Sequence, residues 1–309
     1  MRRASSAAAG APEASPRSFG HRVAAPFHRF RALGAVTTLS APVLWLLVVY
    51  IGSLVLLIVT AFFKLDSFTQ KATTELTTDN LDTAFTTAAF RETVLRSIGV
   101  AAAVTLVCLA VALPMAFYIA KIARPRARRT LIVAVLLPLW AGYLVKAYSW
   151  RAMLEPGSQF GATGSGGFMK SVFGWSPGFG LAGVVITLSY MWMPYMVLPI
   201  YAGLDRLPAS LLDAAGDLGA RPGRTFTSVI MPVLVPSIAA GSIFTFSLSL
   251  GDYITPNVVG GKTQLIGNLI ARTLLAPNQP LAAALTLWPI LIVVAYLFSM
   301  SRLGAFESL

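Results

Sequence analysis

The chain has 309 residues, 56% of them hydrophobic and only 12% charged, with a mean hydropathy of +0.72. A soluble domain carries about 25% charged residues, and half that share cannot cover a globular surface. This argues against a soluble enzyme, a nucleic-acid-binding domain or a disordered regulator, and the formal net charge of +12 must be explained within a membrane chain. The single cysteine, Cys108, lies in an apolar run. It can form neither an internal disulfide nor a paired-cysteine zinc site, and reads as a small buried hydrophobe.

The first 41 residues, rich in Ala, Ser, Pro and Arg, read as a disordered basic tail. They lack the early apolar core of a cleaved signal peptide; a transit peptide is the alternative reading. The region 42–309 reads as a membrane domain, because six stretches reach the roughly 20 apolar residues that a spanning helix needs. In chain order they are Pro42–Phe63, Ser97–Lys121, Thr130–Trp150, Leu181–Leu204, Val229–Leu250 and Ala282–Arg302. Pro114, Pro138, Pro194, Pro199, Pro236 and Pro289 fall inside them. Neighbouring helices can satisfy the carbonyls that proline frees, so kinked, protein-packed helices are expected there.

The charges orient these spans. Fifteen bases fall on the side of the two termini and nine on the other, out of 24 in all. The excess lies in the segment before the first span and in the link Lys121–Arg129, which holds no acid. The positive-inside rule then places both termini in the cytoplasm. Asp66, Glu75, Asp79, Asp82 and Glu92, between the first two spans, suit an outer face.

Intramembrane chemistry finds few candidates. The only histidines, His21 and His28, sit in the basic tail, and no HExxH occurs. Gly261-Lys262-Thr263 imitates the end of a phosphate-binding loop, but Pro256 stands where the first glycine is required. The chain is expected to catalyse nothing itself.

The loop between the fourth and fifth spans, residues 205–228, is the most informative segment. Between Pro208, suited to a first helical turn, and Gly219, suited to the position past a helix end, lies room for about ten helical residues. Leu211, Leu212, Ala215 and Leu218 share one face by their spacing. Ala214, Ala215, Gly216 and Gly219 leave a region almost without bulk that a partner surface could approach closely. Asp213 and Asp217 add charge that could meet basic groups. An ordinary helix lying on the bilayer satisfies these residues equally well.

The pattern Asp213-Ala214-Ala215, three residues, Gly219, nine residues, Val229, one residue, Met231-Pro232 resembles the EAA loop of ABC importer permeases. Asp213, Val229 and Met231 replace the Glu, Ile and Leu of that family's pattern. The resemblance extends over most of the chain after residue 90. Leu137–Trp140 with Lys146–Trp150, Met193–Tyr201, and Gly251-Asp252-Tyr253 through Asn268 are similar to the spermidine/putrescine-type subfamily, closer to its B-type than its C-type permease.

The resemblance implies an all-α membrane protein of six transmembrane helices with a short cytoplasmic coupling helix between spans four and five. It implies a bacterial inner-membrane location and three kinds of protein partner: a second homologous permease chain, an ATPase dimer that binds ATP and Mg, and an extracytoplasmic substrate-binding protein. Leu211, Leu212, Asp213, Ala214, Ala215, Gly216, Leu218 and Gly219 would then seat in the ATPase, and the solute would be a polyamine or another small molecule. A self-contained secondary transporter is the less favoured alternative, since no internal repeat is evident. For the solute path, charge in or near the membrane is costly and usually functional. Asp252 and Tyr253 could offer a carboxylate and an aromatic face to an ammonium group, with Glu155, Tyr148, Trp150, Trp192 and Tyr195 as further candidates. Lys146 argues the other way, because it would repel a cation; snorkelling to the interface is its ordinary role.

Overall fold

The computed structural model describes residues 31–66, 68–69, 71–155, 169–170, 174–276 and 278–302. It divides into two compact units, Met1–Leu57 and Ile58–Leu309. The first unit carries helix α1 (Arg31–Ala61) as far as Leu57. Backbone groups in hydrocarbon must be paired internally, and a helix does this for a run as apolar as Leu44–Leu57 while tolerating Pro42. The helix begins at Arg31, within the stretch read above as tail; residues 1–30, with His21 and His28, lie outside the described residues.

The second unit opens with an antiparallel hairpin, β1 (Phe63–Leu65) with β2 (Ala72–Leu76), a small departure from an all-helical chain. Asp66 shapes its turn by accepting from the Phe68 N–H and the Thr69 hydroxyl, both at 2.9 Å, which holds its carboxyl below the usual carboxylate range. Helices α2 (Asp79–Thr86) and α3 (Ala88–Phe117) follow, with α3 running into a π-turn at Tyr118–Ile122. Then come α4 (Pro125–Trp140), α5 (Tyr143–Leu154), α6 (Leu181–Arg206), α7 (Ala209–Asp217) and α8 (Pro222–Thr225). A π-turn at Phe226–Ile230 leads into α9 (Met231–Leu250), followed by α10 (Ile254–Val259), α11 (Ile266–Leu275) and α12 (Gln279–Ser301).

Five helical stretches among the described residues are long and apolar enough to cross a membrane: Leu39–Ala61, Ala88–Ile122, Leu181–Arg206, Pro222–Leu250 and Gln279–Ser301. The expected third span, Thr130–Trp150, is broken instead of continuous: α4 and α5 meet at a bend of 95°. Pro138 leaves the Ala134 carbonyl without its helical donor, and Ala141 and Gly142 both take extended backbone. The fifth span reaches back to Pro222. Pro232 cannot supply the next helical donor, and the ladder there shifts so that the Met231 N–H reaches the Phe226 carbonyl.

The core lies where α3, α6 and α9 pack together, with Val104, Cys108, Leu188, Met191, Ile200 and Leu234 almost fully buried. Cys108 is the small buried hydrophobe expected, its thiol 3.4 Å from the Ser189 carbonyl. Membrane helices gain little from apolar burial against lipid and pack best where small residues let backbones approach. A Cβ on Gly203 would stand 2.3 Å from Ser237 Oγ, and one on Gly241 2.9 Å from Met196 Sδ and 3.3 Å from its Cα. At the other edge of α9, Phe246 stacks on Tyr296 of α12 at 4.1 Å, and Trp288 donates to the Ala84 carbonyl at 3.0 Å.

Because the Gly241 neighbour includes backbone, Gly241→Val is expected to cost about 1–3 kcal/mol by overpacking. Thermal unfolding of the detergent-purified protein measures this, and an unchanged melting temperature would refute the close-packing account.

Candidate functional site

Two groups of residues stand out at opposite ends of α6 and α9. The first is α7 and its surroundings. Pro208 sits just before the helix as its N-cap, and Gly219 follows it with φ +71°, a conformation glycine adopts without strain. The Ala220 N–H reaches the Ala215 carbonyl and the Gly219 N–H the Gly216 carbonyl, at 3.0 and 2.8 Å. This is the Schellman closure that ends a helix.

The expected apolar face of α7 is split. Leu212 is half-buried and packs against the core that holds Leu207, while Ala215 is buried at the wall of a groove. Leu211 is 45% exposed and Leu218 87% exposed. Of the four, Leu212 alone packs against the core. The outward pair, with Ala214, Gly219, Arg221 and Arg224, lines a groove of about 760 Å³. Gly216 is exposed, and a Cβ added there meets nothing within 4 Å, so packing within the chain does not require glycine at that position. Asp213 and Asp217 are exposed.

The second group surrounds Asp252, just past the end of α9. Its residue is 8% exposed and its carboxylate is well occupied. Oδ1 accepts from the Ile254 and Thr255 N–H groups at 2.9 and 3.1 Å, which starts the turn into α10. Oδ2 accepts from the Thr255 hydroxyl at 2.8 Å and from the Tyr143 hydroxyl. The first two donors are fixed backbone groups; the other two are hydroxyls that can rotate. Asp252 is therefore a structural group before it is anything else.

A cavity of about 320 Å³ lies against it, lined by Tyr143, Trp192, Ser247, Gly251, Asp252 and Tyr253 among others. Tyr143 and Trp192 stack at 6.0 Å, and Tyr195 meets the Trp192 edge at 5.8 Å. Trp192 Nε1 and Ser247 Oγ are buried without a hydrogen-bond partner. Of the seven residues expected on the solute path, Asp252, Tyr253 and Trp192 line this cavity and Tyr195 adjoins it. Tyr148, Trp150 and Glu155 are not part of its lining: Tyr148 is 57% exposed, Trp150 pairs with Tyr190 at 5.4 Å, and Glu155 is exposed at the end of α5. Sequence reasoning missed Tyr143, whose place beside Asp252 depends on the break at Gly142. Lys146 follows one turn further along α5, outside the lining of the cavity. That residue is only 8% exposed, and its amine bonds to no other described group.

The comparisons with known proteins agree with this architecture. The model of the family described as "Binding-protein-dependent transport system inner membrane component" matches residues 35–306, and the chain belongs to that family. It is an ABC importer permease subunit, a multi-pass component of the inner membrane. The chain is 40% identical over 295 residues to the inner membrane ABC transporter permease protein YdcU of Escherichia coli, covering 90% of this chain and 92% of that one. It is 31% identical over 188 residues to the spermidine/putrescine transport system permease protein PotB of Escherichia coli, covering 58% and 65%. Its fold is similar to a chain of a bacterial ABC transporter that imports the acidic polysaccharide alginate, at a TM-score of 0.68 and 16% identity over 91% of this chain and 97% of that one.

Tyr143→Phe removes the hydroxyl shared by Asp252 and Thr255 and is expected to cost about 1.5–3 kcal/mol, the range for a hydrogen bond to a charged group. Thermal unfolding in detergent reads this loss, and a variant as stable as the parent would show that the bridge does not hold α5 to α10.

Proposed function

We propose that this permease imports polyamines, handed over by an extracytoplasmic solute-binding protein and driven by an ATPase dimer docked on α7, with a second homologous permease completing the pathway. In this reading both termini are cytoplasmic, and ATP and Mg are bound by the ATPase alone. The observation that carries it is the pairing of an exposed apolar stripe on α7 with an aromatic, carboxylate-bearing cavity at the opposite end of the same two helices. Support for the partners comes from a solved relative of the same fold, an alginate transporter held in complex with a pentasaccharide-bound periplasmic protein.

On α7, Leu211 and Leu218 supply apolar surface left exposed among the described residues, and Gly216 and Ala214 let a groove wall come close. When ATP closes the ATPase dimer, α7 is pulled with it, and α6 and α9, joined to its two ends, carry the movement to the cavity. There, Trp192, Tyr143 and Tyr195 offer aromatic faces to an ammonium group. The Asp252 carboxylate supplies the opposite charge when its two hydroxyl donors rotate away. The identity with PotB supports a polyamine as the solute.

One observation favours a second reading. Lys146, 8% exposed on the helix that carries Tyr143 and without a partner among the described residues, suits a solute with a carboxylate beside its amine. A charge kept near the bilayer without a partner is costly and usually has a use.

Two measurements test these assignments. Leu218→Glu, at an exposed position, is expected to leave membrane insertion intact while the ATPase no longer co-purifies; full ATPase retention and uptake would refute the docking assignment. Asp252→Asn keeps an acceptor for the α10 N–H groups but removes the charge. It is expected to raise the KM for putrescine uptake by the assembled importer about tenfold, equivalent to about 1.4 kcal/mol. An unchanged KM and rate would remove Asp252 from the path. The same assay compares 1,5-diaminopentane with 5-aminopentanoate: uptake of the second alone, abolished by Lys146→Met, selects the carboxylate reading over the polyamine.

A further inference from the structure

The stretch from the π-turn that ends α3 into the start of α4 carries Lys121, Arg124, Arg126, Arg128 and Arg129 and no acid. Orientation in the membrane needs only their charge, yet the structure separates them by what they touch. Arg124, Arg126 and Arg129 are exposed. Lys121 and Arg128 reach across to the root of α7. The Lys121 amine donates to the Leu207 carbonyl at 2.9 Å, at the residue between α6 and the Pro208 cap. The Arg128 guanidinium donates through Nε to the Tyr201 hydroxyl at 2.7 Å, through Nη2 to the same hydroxyl and to Asp205 Oδ1, and lies over the Tyr201 ring at 5.2 Å. Tyr201 and Asp205 are one turn apart on α6, so the planar guanidinium spans the last turn of that helix.

The position of Arg128 gives this contact a direction. It lies in the first turn of α4, the lower half of the broken span. The upper half, α5, begins with Tyr143, whose hydroxyl holds Asp252. A displacement of α7 therefore has two routes to the cavity. One is axial, through α6 and α9. The other is lateral, from Asp205 through Arg128 into α4, across the bend at Ala141–Gly142 and into α5, while Lys121 ties Leu207 to the end of α3. A bent pair can change its angle at one point, whereas the closely packed α6 and α9 move as a unit.

We infer that Arg128, held by Tyr201 and Asp205, is a positioning residue that transmits the movement of the coupling helix to the broken span and so couples ATP hydrolysis to opening of the cavity. The inference rests on the reading of α7 as the ATPase-docking helix. An isolated, partly exposed ion pair contributes little to stability, and Arg128 and Asp205 are 31% and 48% exposed. The contact should thus matter for transmission more than for folding.

The test uses the complete importer in proteoliposomes, with uptake and ATP hydrolysis measured on the same preparation. Arg128→Ala is expected to assemble with the ATPase normally and to hydrolyse ATP, while solute taken up per ATP falls about fivefold or more, the lower end of an ordinary coupling energy. Tyr201→Phe should produce a smaller fall in the same ratio. Arg128→Glu combined with Asp205→Arg reverses the pair and should restore the ratio to within about twofold of the parent. A parallel loss of uptake and hydrolysis, or a reversed pair that fails to rescue while assembled, would overturn the inference. If Arg128→Ala does not assemble, Tyr201→Phe and Asp205→Asn carry the same measurement, and an unchanged ratio in both overturns it. Failure of the docking reading is distinct, because it shows as ATPase retention by Leu218→Glu.

Discussion

The contact between α6 and α9, close enough that Gly203 and Gly241 admit no Cβ without displacing a neighbour, sets the frame that carries both α7 and Asp252. Lipid tails are as apolar as the side chains they touch, so the two helices are held by dispersion between surfaces that fit. The short segment between them, α7 with its caps, inherits their rigidity at both ends. The same two helices bring Trp192 and Ser247 to the cavity, and Asp252 follows directly after α9. Movement at one end is thus tied to geometry at the other through packed backbone.

Charge plays two roles along this frame. The excess of bases on one side is the signal that the positive-inside rule reads. Some bases also tie helices together: Lys121 and Arg128 meet the end of α6 at the root of α7, and Arg151 on α5 lies over the Phe179 ring at 5.7 Å with a bond of 3.4 Å to the Val258 carbonyl. Asp252 belongs to the same class, since its carboxylate spends both oxygens on the turn into α10 and on Tyr143. Lys146, 8% exposed on the helix that carries Tyr143, is a second charge near the cavity but outside its lining.

Much of the architecture was legible in the sequence because hydropathy in a bilayer is a strong, local signal. The apolar runs found their helices, and Pro208 and Gly219 marked the ends of α7 because proline and glycine act through the backbone alone. What failed was whatever depended on neighbours. The third span read as continuous because proline is ordinary in membrane helices; the two extended residues, Ala141 and Gly142, carry no signal that separates a bend from a kink. The four apolar residues of α7 share one face by periodicity, but only Leu212 packs against the core, a choice made by tertiary neighbours that periodicity does not carry. Asp252 was found for its charge, while Tyr143, its partner 109 residues away, could be found only once α5 was folded back toward α10. Of the proposed path, Tyr148, Trp150 and Glu155 were chosen by residue type, and the fold places them outside the cavity.

The account turns on what the exposed stripe of α7 meets in the assembled importer. A photo-crosslinking phenylalanine analogue placed at position 218, with the partner chains present, reads this directly. The account predicts a covalent adduct between this chain and the ATPase subunit, lost when ATPase is omitted. Adducts with lipid or with the second permease alone, in an importer that transports normally, would contradict it.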